Sequence, residues 1–172
     1  MSGNASIDTA FSGCCALVTG AANGIGAALA QALLAQGARV IAFDQDAAGL
    51  QALQANANPA QLFIAEVDIS DAAAVNAAVA EGERALGPID RLACVAGILQ
   101  MGRIADLSDA QWSRTFAVNV TGTFNVCRAV ARGMIARKRG AIVNVSSNAA
   151  TTPRASMGAY AASKAARSEE HT

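Results

Sequence analysis

Aromatic side chains are scarce, at 4% of the 172 residues with a single Trp, so the chain offers no row of rings on which single-stranded nucleic acid could stack. An excess of charge is also lacking. Thirteen Lys and Arg stand against thirteen Asp and Glu, a net charge of +0, which leaves no long-range field to gather nucleic acid or an anionic membrane surface. No apolar run approaches the roughly 18 residues that a membrane-spanning helix needs. CxxC and CxxH spacings are missing among Cys14, Cys15, Cys94 and Cys127. Three of these lie in apolar runs where a small buried thiol fits, so all four are read as structural thiols, and neither a disulfide nor a metal is expected. Residues 1–11 lack a basic start and carry Asp8 where an export signal needs an apolar run, making the cytoplasm the expected compartment.

What is present is a globular balance of 53% hydrophobic against 15% charged residues, enough for one domain with a sizeable core. From Cys14 onward, short β-branched runs alternate with longer alanine-rich stretches. The pattern predicts strands over 16–19, 39–43, 62–67, 91–95 and 141–145, and helices over 26–36, 47–56, 71–86 and 108–138. Gly37, Asn58-Pro59, Gly87-Pro88 and Arg139-Gly140 supply the breaks. Strands alternating with helices imply an α/β fold, a doubly wound parallel sheet. Ligands of such sheets bind beyond the carboxyl ends of the strands, so the residues just after each strand carry the functional information.

The first of these ends reads Thr19-Gly20-Ala21-Ala22-Asn23-Gly24-Ile25-Gly26 and runs into a helix bearing Leu29, Leu33 and Leu34. Glycines there permit a tight turn and a close backbone approach, so that helix N-terminal amides can face a pyrophosphate. A plain turn would use glycines as well. The second strand ends at Asp44, eighteen residues after Gly26, where a carboxylate can accept both hydrogen bonds of an adenosine ribose diol and repels a 2′-phosphate, favouring NAD over NADP. Neither Asn23 nor Gln45 offers the cation that a phosphate would want. Asp68, in Glu66-Val67-Asp68-Ile69, could accept from the adenine amine or could cap the next helix.

Ser146-Ser147 and Tyr160-Ala161-Ala162-Ser163-Lys164 form the most telling group. Tyr160 and Lys164 are four apart, so on a helix they share a face. An ammonium beside a phenol favours the phenolate, the form an alcohol-oxidising base requires. Ser147, just past a strand and thirteen residues before Tyr160, can donate to the same substrate oxygen. A Tyr and Lys at helical spacing are in isolation an ordinary exposed face; it is the glycine loop and Asp44 in the same α/β chain that turn them toward chemistry.

Through the glycine loop (Gly20, Gly24, Gly26), Asp68, Asn119 in Val118-Asn119-Val120, Ser147, Tyr160 and Lys164, residues 11–166 resemble the short-chain dehydrogenase/reductase family. The resemblance implies a Rossmann-type fold and a nicotinamide cofactor, NAD. Thr19, Gly20, Asn23, Gly24, Ile25, Gly26, Asp44, Asp68, Ile69, Ala96, Gly97, Tyr160 and Lys164 would hold it. It implies Tyr160 as acid/base, Ser147 as holder of the substrate oxygen, Lys164 on the nicotinamide ribose, and Asn119 as anchor of a water in the proton relay. One departure stands out: the family's Asn-Asn-Ala-Gly is here Cys94-Val95-Ala96-Gly97, with both side-chain amides gone from the adenosine side.

Three segments, 43–45, 96–102 and 152–157, narrow the resemblance to members that oxidise a cyclohexadiene-diol acid to a catechol acid in siderophore synthesis. On that reading Ser147, Arg154 and Met157 border the substrate, and the Arg154 guanidinium, lying between Ser147 and Tyr160 in sequence, pairs with the substrate carboxylate. A solvated loop arginine is the other reading of Arg154. A 3-oxoacyl reductase, which would use NADPH, and a non-catalytic nucleotide-binding protein are the competing functions. Family members commonly pair through the helices equivalent to 108–138 and to the Tyr-bearing one, so a homo-oligomer is expected. Phe116, Val120, Phe124 and Cys127 could line that contact or pack on the parent sheet.

Eight residues follow Lys164, where the family pattern continues through further strands and a substrate lid. The last six, Arg-Ser-Glu-Glu-His-Thr at 167–172, are the translation of a common short-read sequencing adapter, AGATCGGAAGAGCACACG. They are expected to be a non-native tail, with His171 carrying no function.

Overall fold

A computed structural model describes residues 11–152 and 154–166. The stretch read for export signals, apart from Phe11, together with Pro153 and the tail 167–172, lies outside them. Five of the apolar runs form strands: β1 Cys15–Thr19, β2 Arg39–Asp44, β3 Leu62–Glu66, β4 Arg91–Cys94 and β5 Ala141–Asn144. All pair in parallel in the order β3-β2-β1-β4-β5. The order reverses between β1 and β4, which opens a crevice beyond their carboxyl ends.

The side-chain period of two divides the core between the sheet's faces. Cys15 and Leu17 of β1, with Ile41 and Phe43 of β2, pack with Val75, Val79, Val126 and Val130. Ala16 and Val18 point the opposite way, to Ala30, Leu33, Leu50 and Leu53. The helices behind these contacts are α1 Gly24–Ala35 and α2 Ala47–Ala55 on one face, and α3 Ala72–Leu86 and α5 Thr123–Arg137 on the other. Burying each large aliphatic or Phe side chain contributes about 1.5–3 kcal/mol. Asp46 caps α2 by accepting from the Gly49 amide, and Asp71 caps α3 by accepting from Ala73 and Ala74. The helix-capping alternative for Asp68 is thereby corrected: the cap lies three residues later.

The helix expected over 108–138 is three pieces. Ser108 and Gln111 form a reciprocal capping box at the start of α4 Asp109–Phe116. A π-helical segment Ala117–Gly122 follows, then α5. The wide π turn carries Asn119, which is fully buried. Its Oδ1 accepts from the Ile98 amide at 2.8 Å, while Nδ2 donates to Ile98 O and to Ser163 Oγ, both at 2.9 Å. Such π turns inside helices gather at functional positions. Of the stripe Phe116, Val120, Phe124 and Cys127, the last three line one open groove beside Asn144, and Cys127 alone also touches the core. Val118, Val126, Val130 and Met134 face the core instead, and Phe124 is 52% exposed beneath the Arg128 guanidinium. The last helix, α6 Gly158–Ala165, packs on α4, on the π segment and on a 3-10 turn Asn148–Ala150. Among the described residues no helix is long and apolar enough to cross a membrane.

Cys14, Cys15 and Cys94 are buried, Cys127 is partly so, and no disulfide joins them. Burial pushes the Cys15 thiol up to about 11 and raises Cys14 as well. A protonated, enclosed thiol is a poor nucleophile. Iodoacetamide at pH 8 is therefore expected to leave Cys15 unmodified in the folded protein and to label it in urea, as peptide mass mapping would report. Replacing Asn119 by Ala removes three hydrogen bonds and strands both polar groups of Ile98, so unfolding in urea should become easier by about 2–4 kcal/mol.

Candidate active site

Thr19 ends β1 with its hydroxyl buried, and Oγ1 accepts from the amides of Val95 and Ala96 at 3.1 and 3.2 Å. One side chain thus bridges the two strands that flank the crevice. It also orders the segment where the family's two Asn side chains are replaced. Gly20 follows at φ +71°, and a Cβ on it would sit 2.9 Å from the Ala96 backbone. At Gly26 a Cβ would lie 2.0 Å from the Gly20 carbonyl oxygen, so the loop closes on itself only because both positions lack side chains. Asn23 occupies the N-cap position of α1, yet its side chain donates to Asp46 at 2.9 Å rather than capping the helix. The first-turn amides of Gly24, Ile25 and Gly26 therefore have no side-chain acceptor and no acidic neighbour in their turn. Unpartnered amides at the positive end of a helix dipole are the kind of group that suits an anion.

At the end of β2, Asp44 is oriented by its backbone surroundings: Oδ2 accepts from the Ala22 amide and Oδ1 from the Asp46 amide, each at 3.0 Å. It shares a cavity of about 150 Å³ with Gly20, Ile69, Ala96, Gly97 and Arg114. Asp68 lies beside this cavity. Burial raises the affinity of its carboxyl for a proton, but the Ser70 hydroxyl and amide, followed by the Arg114 guanidinium, outweigh that and hold it below the usual carboxylate range. Arg114 is a site residue that sequence reasoning missed. Nothing local marks it, because its partners Asp68 and Gln45 are 46 and 69 residues away.

At the other end of the crevice, Lys164 is 4% exposed and its Nζ donates to Val145 O at 3.0 Å. Nζ stands 5.6 Å from the centre of the Tyr160 ring, as their spacing on α6 predicts. A Cβ on Gly97 would meet both Asn119 Oδ1 at 3.2 Å and Lys164 Nζ at 3.4 Å, so these three residues converge on one point. Ser163 couples the helices: its hydroxyl donates to Tyr160 O at 2.7 Å and accepts from Asn119. Ser147 follows β5 and accepts from the Ala149 amide at 3.2 Å, opening the 3-10 turn against which α6 packs. Ser147 and Tyr160 are both half-buried.

The sequence segments 96–102 and 152–157 are brought together. Gly102 pairs with Met157 in a parallel bridge, and the Gly102 amide donates to Ser156 O at 2.9 Å. Arg154 is exposed and is joined to no other site residue by a hydrogen bond or ion pair. Among the described residues no group of His, Cys, Asp and Glu gathers as a metal site would.

Comparison with known proteins follows the same contour. The short chain dehydrogenase family model matches residues 14–169. The chain is 48% identical over 155 residues to 2,3-dihydro-2,3-dihydroxybenzoate dehydrogenase of Bacillus subtilis, covering 88% of this chain and 59% of that protein. It is 42% identical over 160 residues to D-threitol dehydrogenase of Mycolicibacterium smegmatis, covering 91% and 61%. The crystal structure of a short-chain dehydrogenase from Streptomyces avermitilis superposes with a TM-score of 0.84 at 31% identity, covering 89% of this chain and 56% of that one. The chain thus spans 59% to 61% of the length of these two curated relatives. Since the matched span contains every element from β1 to α6, the chain belongs to the short-chain dehydrogenase family.

Proposed function

We propose that the protein is an NAD-dependent dehydrogenase that oxidises 2,3-dihydro-2,3-dihydroxybenzoate to 2,3-dihydroxybenzoate, a step of siderophore synthesis in the cytoplasm, and that it works as a homo-oligomer. The observation that carries the oxidoreductase reading is the buried Lys164, anchored by Val145 O and set 5.6 Å from the Tyr160 ring. Two features support a dinucleotide: glycines let the loop after β1 close tightly on its own backbone and on Ala96, and the first-turn amides of α1 have no side-chain acceptor. Asp44 supports NAD, because its carboxylate accepts from a ribose diol and repels a 2′-phosphate. When bound, the nicotinamide ring supplies the hydride acceptor.

The chain's own residues handle the proton. The Tyr160 oxygen takes it from the substrate hydroxyl as the carbon loses its hydride, with the Lys164 ammonium held 5.6 Å from the ring centre on the same helix. Ser147 accepts from Ala149 with one lone pair and keeps its hydrogen for the substrate oxygen. Asn119 spends both Nδ2 hydrogens on Ile98 and Ser163, so in this geometry it positions the site, and any water it anchors must sit on a carbonyl oxygen. The ketone formed from the cyclohexadiene-diol enolises to an aromatic ring, which draws the oxidation forward.

The likeness to D-threitol dehydrogenase favours a second reading, oxidation of an open-chain polyol. Arg154 separates the two, because only the ring acid carries a carboxylate for its exposed guanidinium.

Absorbance at 340 nm is measured with NAD+ and the dihydrodiol acid. NADH is expected to accumulate. Tyr160→Phe should cut kcat by about 10²–10⁴-fold, and turnover that survives it unchanged would remove Tyr160 as the base. Arg154→Ala should raise KM for the acid far more than for threitol. Equal effects on both, or turnover of threitol alone, select the polyol reading.

A further inference from the structure

We infer that Arg114 is a second determinant of dinucleotide choice: Asp68 ties up a cation that would otherwise serve a 2′-phosphate. This rests on the dinucleotide half of the proposed function. Among the described residues lining the adenosine-side cavity, Arg114 is the one cation and Asp44 the one anion. The sequence around the glycine loop and after β2 supplies no positive charge, whereas the fold delivers one from α4. Arg114 Nη1 meets Asp68 Oδ2 at 3.1 Å, and Nη2 meets Gln45 Oε1 at 3.4 Å. Gln45 is the immediate neighbour of Asp44, so the guanidinium reaches the residue next to the expected ribose carboxylate.

The Asp68 carboxylate is well fastened for this task. Its Oδ1 accepts from the Ser70 amide at 2.9 Å and from the Ser70 hydroxyl at 2.6 Å, which leaves Oδ2 turned to Arg114. Arg114 and Asp68 are 42% and 38% exposed, a setting in which an ion pair adds little to stability. Its effect is local: a carboxylate within 3.1 Å offsets the guanidinium charge and occupies one edge of its donor fork. Dinucleotide choice then has two locks. Asp44 repels a 2′-phosphate, and Asp68 withholds the cation that would bind one. Opening the first alone removes a repulsion without supplying an attraction.

The test uses adenosine 2′,5′-bisphosphate against 5′-AMP, and NADP+ against NAD+, with titration calorimetry on the protein. The ratio of dissociation constants within each pair isolates the 2′-phosphate, because losses at the adenine ring affect both members alike. Asp44→Ser should weaken the preference for the unphosphorylated ligand. Adding Asp68→Asn should then strengthen binding of the 2′-phosphorylated ligand about tenfold relative to its partner, in line with charge-assisted hydrogen bonds. Adding Arg114→Ala to that double variant should abolish the gain, and Arg114→Lys should keep part of it. A ratio unmoved by Asp68→Asn, or a gain that survives Arg114→Ala, overturns the inference while leaving NAD binding by the parent protein intact. A parent protein that binds neither dinucleotide overturns the inference together with the cofactor reading beneath it. Circular dichroism and thermal melting of each variant show that a lost gain comes from a folded protein.

Discussion

The side-chain amide of Asn119 is the contact on which the Tyr160–Lys164 half of the crevice depends. Its three hydrogen bonds join the loop after β4, the π segment and α6, elements otherwise linked by the isolated bridge between Gly102 and Met157 and by the packing of the helices. Because Ser163 relays one of those bonds to the Tyr160 carbonyl, the helix bearing Tyr160 and Lys164 is fixed relative to β4. Lys164 then spans from α6 to Val145 at the end of β5. A small buried polar network of this kind is fully satisfied, which is why it orders the site rather than destabilising the core.

The half of the crevice around Gly20 and Asp44 is organised differently. There the ordering groups are mostly backbone: glycines that let chain segments touch, amides that orient Asp44, and a helix start left without a side-chain cap. The two halves meet at Gly97, where the absence of a side chain leaves room for Asn119 and Lys164. The chain's net charge of +0 is consistent with recognition by these short-range contacts. Charge matters only in a few places, each a carboxylate with defined partners.

Much of this was legible in the sequence because the signals are local. Strands show as β-branched runs, the glycine loop as a spacing, and the Tyr160–Lys164 pair as a helical step of four. Observed strand ends differ from the expected ones by a residue, as at Cys15 and Asp44. The π segment could not be read, since a helix that gains a residue in one turn keeps an apolar period on either side of the break. Val126, Val130 and Met134 take the core while Val120, Phe124 and Cys127 share an open groove, a division that two equally regular apolar spacings leave undecided in the sequence. Arg114 was invisible for another reason: its meaning comes from Gln45 and Asp68, which only the fold brings near. Asp68 and Asp71 were not distinguishable as helix cap until the chain's path was known.

The Thr19 hydroxyl has a consequence for how tightly a ligand can be held. By accepting from both Val95 and Ala96 it sets the width of the crevice between β1 and β4 within the protein alone. The entropy of ordering those backbone segments is lost when the chain folds, so an arriving ligand meets a preorganised slot and does not have to draw the two strand ends together. Affinity then reports the contacts made in the crevice, undiminished by the work of assembling it.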